Sequence, residues 1–141
     1  MTRLFAAFLA ALLFSLPALS VTAAAQTAKP ASAAQPGPDD RAKQWLTLID
    51  DSNYAESAGQ MGTQARKADI DKLPTLREPL GAMSSRSLKD VTLAKTVAGM
   101  PAGQYAVVRY ESNFARKAVA VETVTLAMTK TGWAVVAYSI D

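Results

Sequence analysis

The stretch QYAVVRYESNFARKAVAVETVTLAMTKTGWAVVAYSI, residues 104–140, decides the fold. In its first part, four apolar side chains share one side of an extended chain: Ala106, Val108, Tyr110 and Phe114. The opposite side carries polar side chains: Arg109, Glu111 and Asn113. A period of two is typical of a strand with one buried face. Turn signals at residues 115–117 and 130–132 divide the stretch into three predicted strands, over residues 104–114, 118–129 and 133–140.

A fourth strand is predicted before this stretch, over residues 88–97. The sequence GMPAG at residues 99–103 has the composition and length of a hairpin turn. Strands that follow one another through short turns pair in an antiparallel manner. The second half of the chain therefore predicts a four-stranded antiparallel meander.

Before residue 85 the apolar spacing becomes helical. Ala42, Trp45, Leu46 and Ile49 follow at i, i+3, i+4 and i+7, which predicts an amphipathic helix. Asp39 or Asp40 is the expected N-cap of that helix. A short helical turn is predicted at residues 54–58, and a third helix over residues 63–73 that Pro74 limits. A second helical piece that resumes through Leu76 and Arg77 stays open. Helices followed by strands favour an α+β fold with the helices on one face of the sheet.

The N-terminal segment has the organisation of a secretory signal. Arg3 precedes an apolar run over residues 4–19, and Ala23 and Ala25 occupy the small-residue positions before a cleavage site. We expect cleavage after Ala25. Residues 26–38 are rich in Ala, Pro and Gln and predict a flexible linker, so residues 39–141 form one predicted domain, periplasmic or secreted and without a membrane anchor after cleavage.

Composition excludes several classes of chemistry. The chain has 141 residues and neither cysteine nor histidine, so disulfides, thiolate sites and a Ser-His-Asp triad are excluded. Without Arg3, 14 basic and 12 acidic residues remain, a net charge of +2, and they are interleaved. Nucleic-acid binding normally needs a clustered basic face, so no nucleic-acid partner is expected. No metal site and no cofactor is predicted, and the adjacent Asp50 and Asp51 are interpreted as a helix end and turn.

Glu122 is the first candidate site residue. In the third predicted strand it shares a face with Val124, Leu126 and Met128. A carboxylate in an apolar layer must find a partner or raise its pKa. Two interpretations stay open: Glu122 is a ligand-binding or acid–base group in a pocket, or it lies at the sheet edge or in a structural pair with Arg77 or Arg86.

Two arginines and a tyrosine complete the candidate site. Arg77 and Arg86 flank the Pro-Leu-Gly turn at residues 79–81, and a guanidinium forms a rigid fork suited to carboxylates. They predict either a clamp for an anionic ligand or structural ion pairs with Glu122, Asp50 or Glu78. Tyr110 is a candidate ligand contact. The larger aromatic set predicts either an aromatic pocket or core packing: Trp45, Trp133, Tyr105, Tyr110 and Tyr138.

The chain also carries a set of short motifs spread over most of residues 42–138: Trp45-Leu46, Asp50, Tyr54, Ser57, REPLG at 77–81, Arg86, GMPAGQY at 99–105, Phe114-Ala115, Glu122, Gly132-Trp133 and Tyr138. On these motifs it resembles a family of small exported bacterial proteins, the domain of unknown function 4019 family. The resemblance implies a cystatin-like or nuclear-transport-factor-like cone, in which helices pack into a curved sheet. It implies no activity.

These observations together predict a non-enzymatic exported binding or interaction module. Its partner is an unidentified protein or small molecule, and an open sheet edge makes a homodimer a reasonable expectation. One alternative is a small-molecule-binding enzyme of the proton-transfer type, an isomerase or hydrolase, with Glu122 in a pocket. Another is a structural protein of the cell envelope.

Overall fold

The computed structural model describes residues 35–141 of the chain. The predicted signal segment and most of the predicted linker lie outside these residues. The helices are α1 (Pro38–Asp50), α2 (Tyr54–Gly59), α3 (Lys67–Asp71) and α4 (Leu73–Arg77), and a 3₁₀ turn follows at Glu78–Leu80. The strands are β1 (Met83–Ala94), β2 (Tyr105–Phe114), β3 (Lys117–Thr129) and β4 (Gly132–Ile140). The predicted α+β class is confirmed.

The four strands form one antiparallel sheet in the order β1-β2-β3-β4, as the meander predicts. The predicted alternation of β2 is confirmed, since its buried positions are 106, 108, 110, 112 and 114, together with Tyr105 at the strand start. Strands β2, β3 and β4 begin within one residue of their predicted starts. β1 and β4 are the two edges of the sheet.

Helix α1 buries the predicted apolar stripe completely against the sheet. The predicted N-cap at Asp39 or Asp40 is wrong. Gly37 occupies the cap without a side-chain hydrogen bond, and Pro38 lies in the first turn. Proline is favoured there because its fixed φ suits the helix and its missing N–H is not needed. Asp39 and Asp40 instead lie in the first turn, where carboxylates stabilise the positive end of the helix dipole.

The helix predicted over residues 63–73 is also wrong, whereas the second helical piece expected through Leu76 and Arg77 is present within α4. α3 spans only Lys67–Asp71, and Pro74 lies in the first turn of α4 rather than ending a helix. The chain before α3 is tied to β4: the Gly62 N–H donates to the Val135 carbonyl at 2.7 Å. A Cβ at Gly62 would lie 3.1 Å from a methyl group of Val136. This close approach to the sheet keeps residues 61–62 extended and delays the helix.

The first strand is displaced from its predicted position at residues 88–97 and spans Met83–Ala94. The polar residues 85–87 pair with β2, with Met83 opposite Phe114 and Ser87 opposite Glu111. An edge strand with one solvated face accepts serine readily. The change from polar to apolar residues near Leu88 therefore did not mark the residue at which β1 begins. The register shifts between Leu88 and Asp90, so Lys89 is an extra, bulged residue.

The main core lies between the helices and the inner face of the sheet. It contains eleven buried residues: Ala42, Trp45, Leu46, Ile49, Leu73, Val108, Tyr110, Val124, Leu126, Val135 and Tyr138. A smaller cluster of Tyr105, Ala127 and Val136 is covered by Val97 and Met100. Four of the five predicted aromatic residues are thus buried core residues. Among residues 35–141, no helix has the length and apolar character that crossing a membrane requires.

Candidate functional site

Glu122 lies on the inner face of β3 and is completely buried. The prediction that it shares this face with Val124 and Leu126 is confirmed, because both are also completely buried. Met128, two residues further along, is more exposed because it lies near the end of β3. The structure therefore places a carboxylate inside the apolar layer that covers the sheet.

Three donors satisfy the Glu122 carboxylate. The Arg86 Nε donates to Oε2 at 2.6 Å, and the Tyr138 hydroxyl donates to Oε1 at 2.6 Å. The Ser112 hydroxyl also donates to Oε2. Hydrogen bonds to an ionised group are the strong ones in proteins, so these contacts replace the water that burial removes.

The ion pairs continue from Arg86 to Asp50 at the end of α1. The two terminal nitrogens of Arg86 donate to the two Asp50 oxygens at 2.6 and 3.0 Å. Arg77 donates to Asp50 Oδ1 at 2.6 Å. Four charged groups thus form one chain, Arg77–Asp50–Arg86–Glu122, which we call the charged network. Its formal charges, two positive and two negative, cancel.

Arg77 is held from several sides at the outer end of the charged network. Its guanidinium carbon lies 4.3 Å from the centre of the Phe114 ring, a cation–π distance. One terminal nitrogen donates to the Gly81 carbonyl at 3.4 Å. Among the described residues, its Nε is the one buried side-chain polar atom without a hydrogen-bond partner.

The position of Asp50 explains why two arginines meet there. A carboxylate in the last turn of a helix faces the negative end of the helix dipole, which is unfavourable. The last turn of α1 contains no basic residue of its own. Arg77 from α4 and Arg86 from β1 supply the compensating charge, and in doing so they join both helices to the sheet.

Strand register brings the inner end of the charged network together. Arg86 pairs with Ser112 across β1 and β2, and Tyr110 pairs with Glu122 across β2 and β3. Ser112 is therefore one step diagonal to Glu122, and Tyr138 on β4 is diagonal to it on the other side. Diagonal neighbours on one sheet face lie within reach of long side chains.

The structure shows which ion pairs the two arginines form. Arg86 pairs with Glu122 and with Asp50, whereas Arg77 pairs with Asp50 and not with Glu122. The ion-pair interpretation therefore describes the observed contacts. A ligand-binding role for Glu122, Arg77 and Arg86 stays a prediction.

Tyr110, the fourth predicted residue, is buried beside the charged network but does not bond to it. Its hydroxyl donates to the Asp39 carbonyl at 3.0 Å and so ties α1 to the sheet. Sequence reasoning missed Ser112 and the polar role of Tyr138. A signal for Ser112 was present, because it is the one polar residue at an inward position between Tyr110 and Phe114.

Two cavities adjoin the charged network, and Glu122 lines neither of them. One has a volume of about 340 Å³ and includes Asp50, Tyr54 and Arg77 in its wall. The other has a volume of about 270 Å³ and lies between α1 and β1, beside Asp50 and Arg86. A molecule in either cavity would meet Asp50 and an arginine rather than the buried carboxylate of Glu122.

Burial and charge shift the pKa values of the groups around Glu122. Burial alone would lower the pKa of Arg86, but its bonds to Asp50 and Glu122 outweigh this and raise the pKa, so Arg86 stays charged. Burial, followed by the charge of Glu122 and its hydrogen bond, raises the pKa of Tyr138. Burial and the nearby charge of Asp39 raise the pKa of Tyr110 to about 12. Both tyrosines are therefore neutral donors near neutral pH.

Alkaline pH is expected to destabilise the fold through these tyrosines. A tyrosine in the unfolded chain loses its proton near pH 10, whereas Tyr110 keeps its proton to about pH 12 in the folded state. The unfolded state therefore binds fewer protons in this window, and stability falls as pH rises through it. The contribution is intact below about pH 10. Urea unfolding from about pH 8 to about pH 11 measures it, and Tyr110→Phe should show a shallower decline than the parent. Equal slopes would contradict the assignment.

No three Asp or Glu side chains within residues 35–141 come together as ligands for a metal ion. Asp50 and Glu122, the acidic members of the charged network, have their oxygens bonded to arginines and hydroxyls. The contacts of the charged network therefore join the helices to the sheet.

Comparison with known proteins identifies the family but gives no activity. The family described as Protein of unknown function (DUF4019) matches residues 41–138, which include every member of the charged network. No curated protein and no solved structure matches the chain. Because the match covers well over half of the sequence, the chain belongs to the DUF4019 family of proteins of unknown function.

Proposed function

We propose that the protein is a non-enzymatic, exported interaction module that binds an extended polypeptide segment along β1. The observation that carries this proposal is the apolar half of that edge strand, whose outer side has no partner among residues 35–141. Leu88, Val91 and Leu93 are 45%, 39% and 70% exposed. Exposed apolar residues that adjoin one another mark interaction surfaces more often than isolated ones do.

These three residues belong to the inner side of the sheet. Leu88, Val91 and Leu93 pair with Tyr110, Val108 and Ala106, whose side chains are all buried. Among residues 35–141, α1 therefore covers the neighbouring strand on this side and leaves the apolar half of β1 open. We call Leu88, Val91 and Leu93 the β1 stripe.

The backbone of β1 adds a second binding element. Within residues 35–141, the backbone partners of β1 belong to β2, so the outer edge of β1 is unpaired. The other edge is partly occupied, because Met61 and Gly62 pair with Val135 of β4. An extended segment can add a strand to a free edge, with backbone hydrogen bonds for affinity and side-chain contacts for specificity.

Two cavities beside the β1 stripe add to the proposed binding surface. A cavity of about 310 Å³ lies beside Leu93, with Tyr105 and Trp133 in its wall. The cavity between α1 and β1 lies beside Leu88. Apolar side chains of a bound segment would find pockets at both ends of the β1 stripe.

A cystatin-like or nuclear-transport-factor-like cone is part of this proposal. α1 contacts all four strands, and every strand pair has a register shift: between Met83 and Ser85, Leu88 and Asp90, Ser112 and Phe114, and Thr125 and Leu126. Such bulges bend strands and increase their twist. A sheet curved around α1 accounts for both features.

The surroundings of Glu122 favour this proposal over proton-transfer catalysis. A general base must reach the proton that it removes, directly or through one water. Glu122 is fully buried, both of its oxygens are bonded, and the adjoining cavities are lined by other residues.

Photo-cross-linking tests the proposed surface. The full chain is produced in cells with a photoreactive phenylalanine derivative at Leu93 or, as a control, at the exposed Glu111 on the outer face of β2. Illumination should give cross-linked species from position 93 only. Replacing Leu88 and Val91 with serine should remove those species. Absence of cross-links from position 93, or equal yields from both positions, would refute an interaction surface on β1. The alternative function of a structural envelope protein would then remain.

A further inference from the structure

We propose that the segment bound along β1 is β1 of a second copy of this chain. Two copies would be related by a two-fold axis, and their antiparallel β1 strands would join two four-stranded sheets into one of eight strands. This inference rests on the proposed interaction surface, because it names the partner for that surface. Isologous pairing of one surface with itself is the commonest form of protein dimer.

The bulge at Lys89 selects the register. Leu88 belongs to the inner side of the sheet and Asp90 to the outer side, because they pair with Tyr110 and Arg109 of β2. Opposite residues in an antiparallel pair share a side of the sheet. When Leu88 faces Val91 of the second copy, inner residues meet inner residues and outer residues meet outer residues along the strand. A shift by one residue would set apolar positions against polar ones.

The same register pairs opposite charges. It places Lys89 directly opposite Asp90 of the second copy, and the two-fold axis repeats the pair. Lysine on an edge strand usually discourages edge-to-edge association. Here an acidic residue follows it in the sequence, and in this register each lysine faces a carboxylate rather than another lysine. Lys89 thus disfavours other partners and other registers while it supports this one.

Apolar contacts fall on both sides of that central charge pair. Leu88 of each copy meets Val91 of the other. Four apolar side chains, two from each copy, are exposed in the separate chains and become covered in the dimer. Arg86 and Leu93 also lie opposite each other in this register, while the Arg86 guanidinium stays bonded to Glu122 and Asp50 of its own copy. The β1 stripe is therefore complementary to itself.

Disulfide trapping tests the register because the chain contains no cysteine of its own. Full-chain variants Leu88→Cys and Val91→Cys are prepared separately, mixed in equal amounts, left to exchange and then oxidised. Directly opposite residues of antiparallel strands have Cα atoms about 4.5–5.5 Å apart, within the range that a disulfide spans. The mixture should form covalent dimers. Each variant alone should form few covalent dimers, because residue 88 of one copy lies three positions along the paired strands from residue 88 of the other copy.

Light scattering on the full chain supplies an independent readout. The parent protein should have twice the mass of one chain, and the double variant Leu88→Ser, Val91→Ser should have the mass of one chain while keeping the parent circular dichroism spectrum. The matched control Val119→Ser removes an apolar residue that is 61% exposed outside β1 and should stay dimeric.

The outcomes separate this inference from the proposed function. A parent protein with the mass of one chain, or disulfide yields no higher in the mixture than in each variant alone, would overturn the dimer. If position 93 still cross-links to a different protein in cells, the interaction module survives with another partner. If position 93 cross-links to nothing, both proposals fail.

Discussion

Replacing Glu122 with alanine is expected to lower the free energy of unfolding by about 3–5 kcal/mol. The substitution leaves the cation of Arg86 buried with one of its two carboxylate partners removed. It also leaves the hydroxyls of Ser112 and Tyr138 without the acceptor they share. An uncompensated buried charge costs far more than the lost attraction between two exposed charges would. Urea unfolding followed by circular dichroism measures the change.

Two control variants make this result specific. Glu111→Ala removes an exposed carboxylate from β2 and should change stability by less than about 0.5 kcal/mol. Glu122→Gln keeps an acceptor for a hydroxyl but removes the charge, so its effect should lie between those of the parent and Glu122→Ala. A loss of less than about 1 kcal/mol for Glu122→Ala would contradict the charged network.

A double-mutant cycle locates the coupling within the charged network. Glu122→Gln combined with Arg86→Met should be clearly non-additive because the two side chains are in contact. Glu122→Gln combined with Arg77→Met should show weaker coupling, since Arg77 is linked to Glu122 only through Asp50 and Arg86. Equal coupling in both cycles would contradict the order of contacts.

Replacing Trp45 with alanine is expected to lower the free energy of unfolding by about 3–5 kcal/mol through the loss of core packing. The Trp45 ring is completely buried and meets the ring of Tyr138 edge-on, with centroids 5.4 Å apart. Its indole N–H donates to the Ser57 carbonyl at 2.9 Å. The substitution therefore opens a cavity under α1 and leaves a carbonyl of α2 unpaired.

Trp133→Ala is the matched control for the core prediction. Trp133 lies near the start of β4 and is only partly buried, so its loss should destabilise the protein clearly less than that of Trp45. Unfolding by urea, followed by circular dichroism, compares the two variants without depending on either tryptophan as the fluorophore. Equal losses, or a loss below about 1 kcal/mol for Trp45→Ala, would contradict the packing of α1 against the sheet.

The sequence predicted well where one periodic pattern decided the structure. The alternation in β2, β3 and β4 and the apolar stripe of α1 predicted the meander, its inner face and the helix that covers it. Such patterns are local, because the side on which a residue lies depends only on its distance along the strand or helix. Prediction was weaker at element ends, where β1 began in a polar serine-rich segment and Pro74 began a helix rather than limiting one.

By itself, the sequence determined that residue 122 shares a strand face with Val124 and Leu126 and that two arginines were available to meet its carboxylate, while a position at the sheet edge stayed open. Only the tertiary structure decided that Arg86 bonds to Glu122, that Arg77 turns to Asp50, and that the rest of residues 35–141 leaves the apolar half of β1 uncovered. The physical reason is that ion pairs and exposure depend on which elements meet. Residues 50, 77, 86 and 122 are brought together by strand register and helix placement, and no pattern within any one segment encodes those distances.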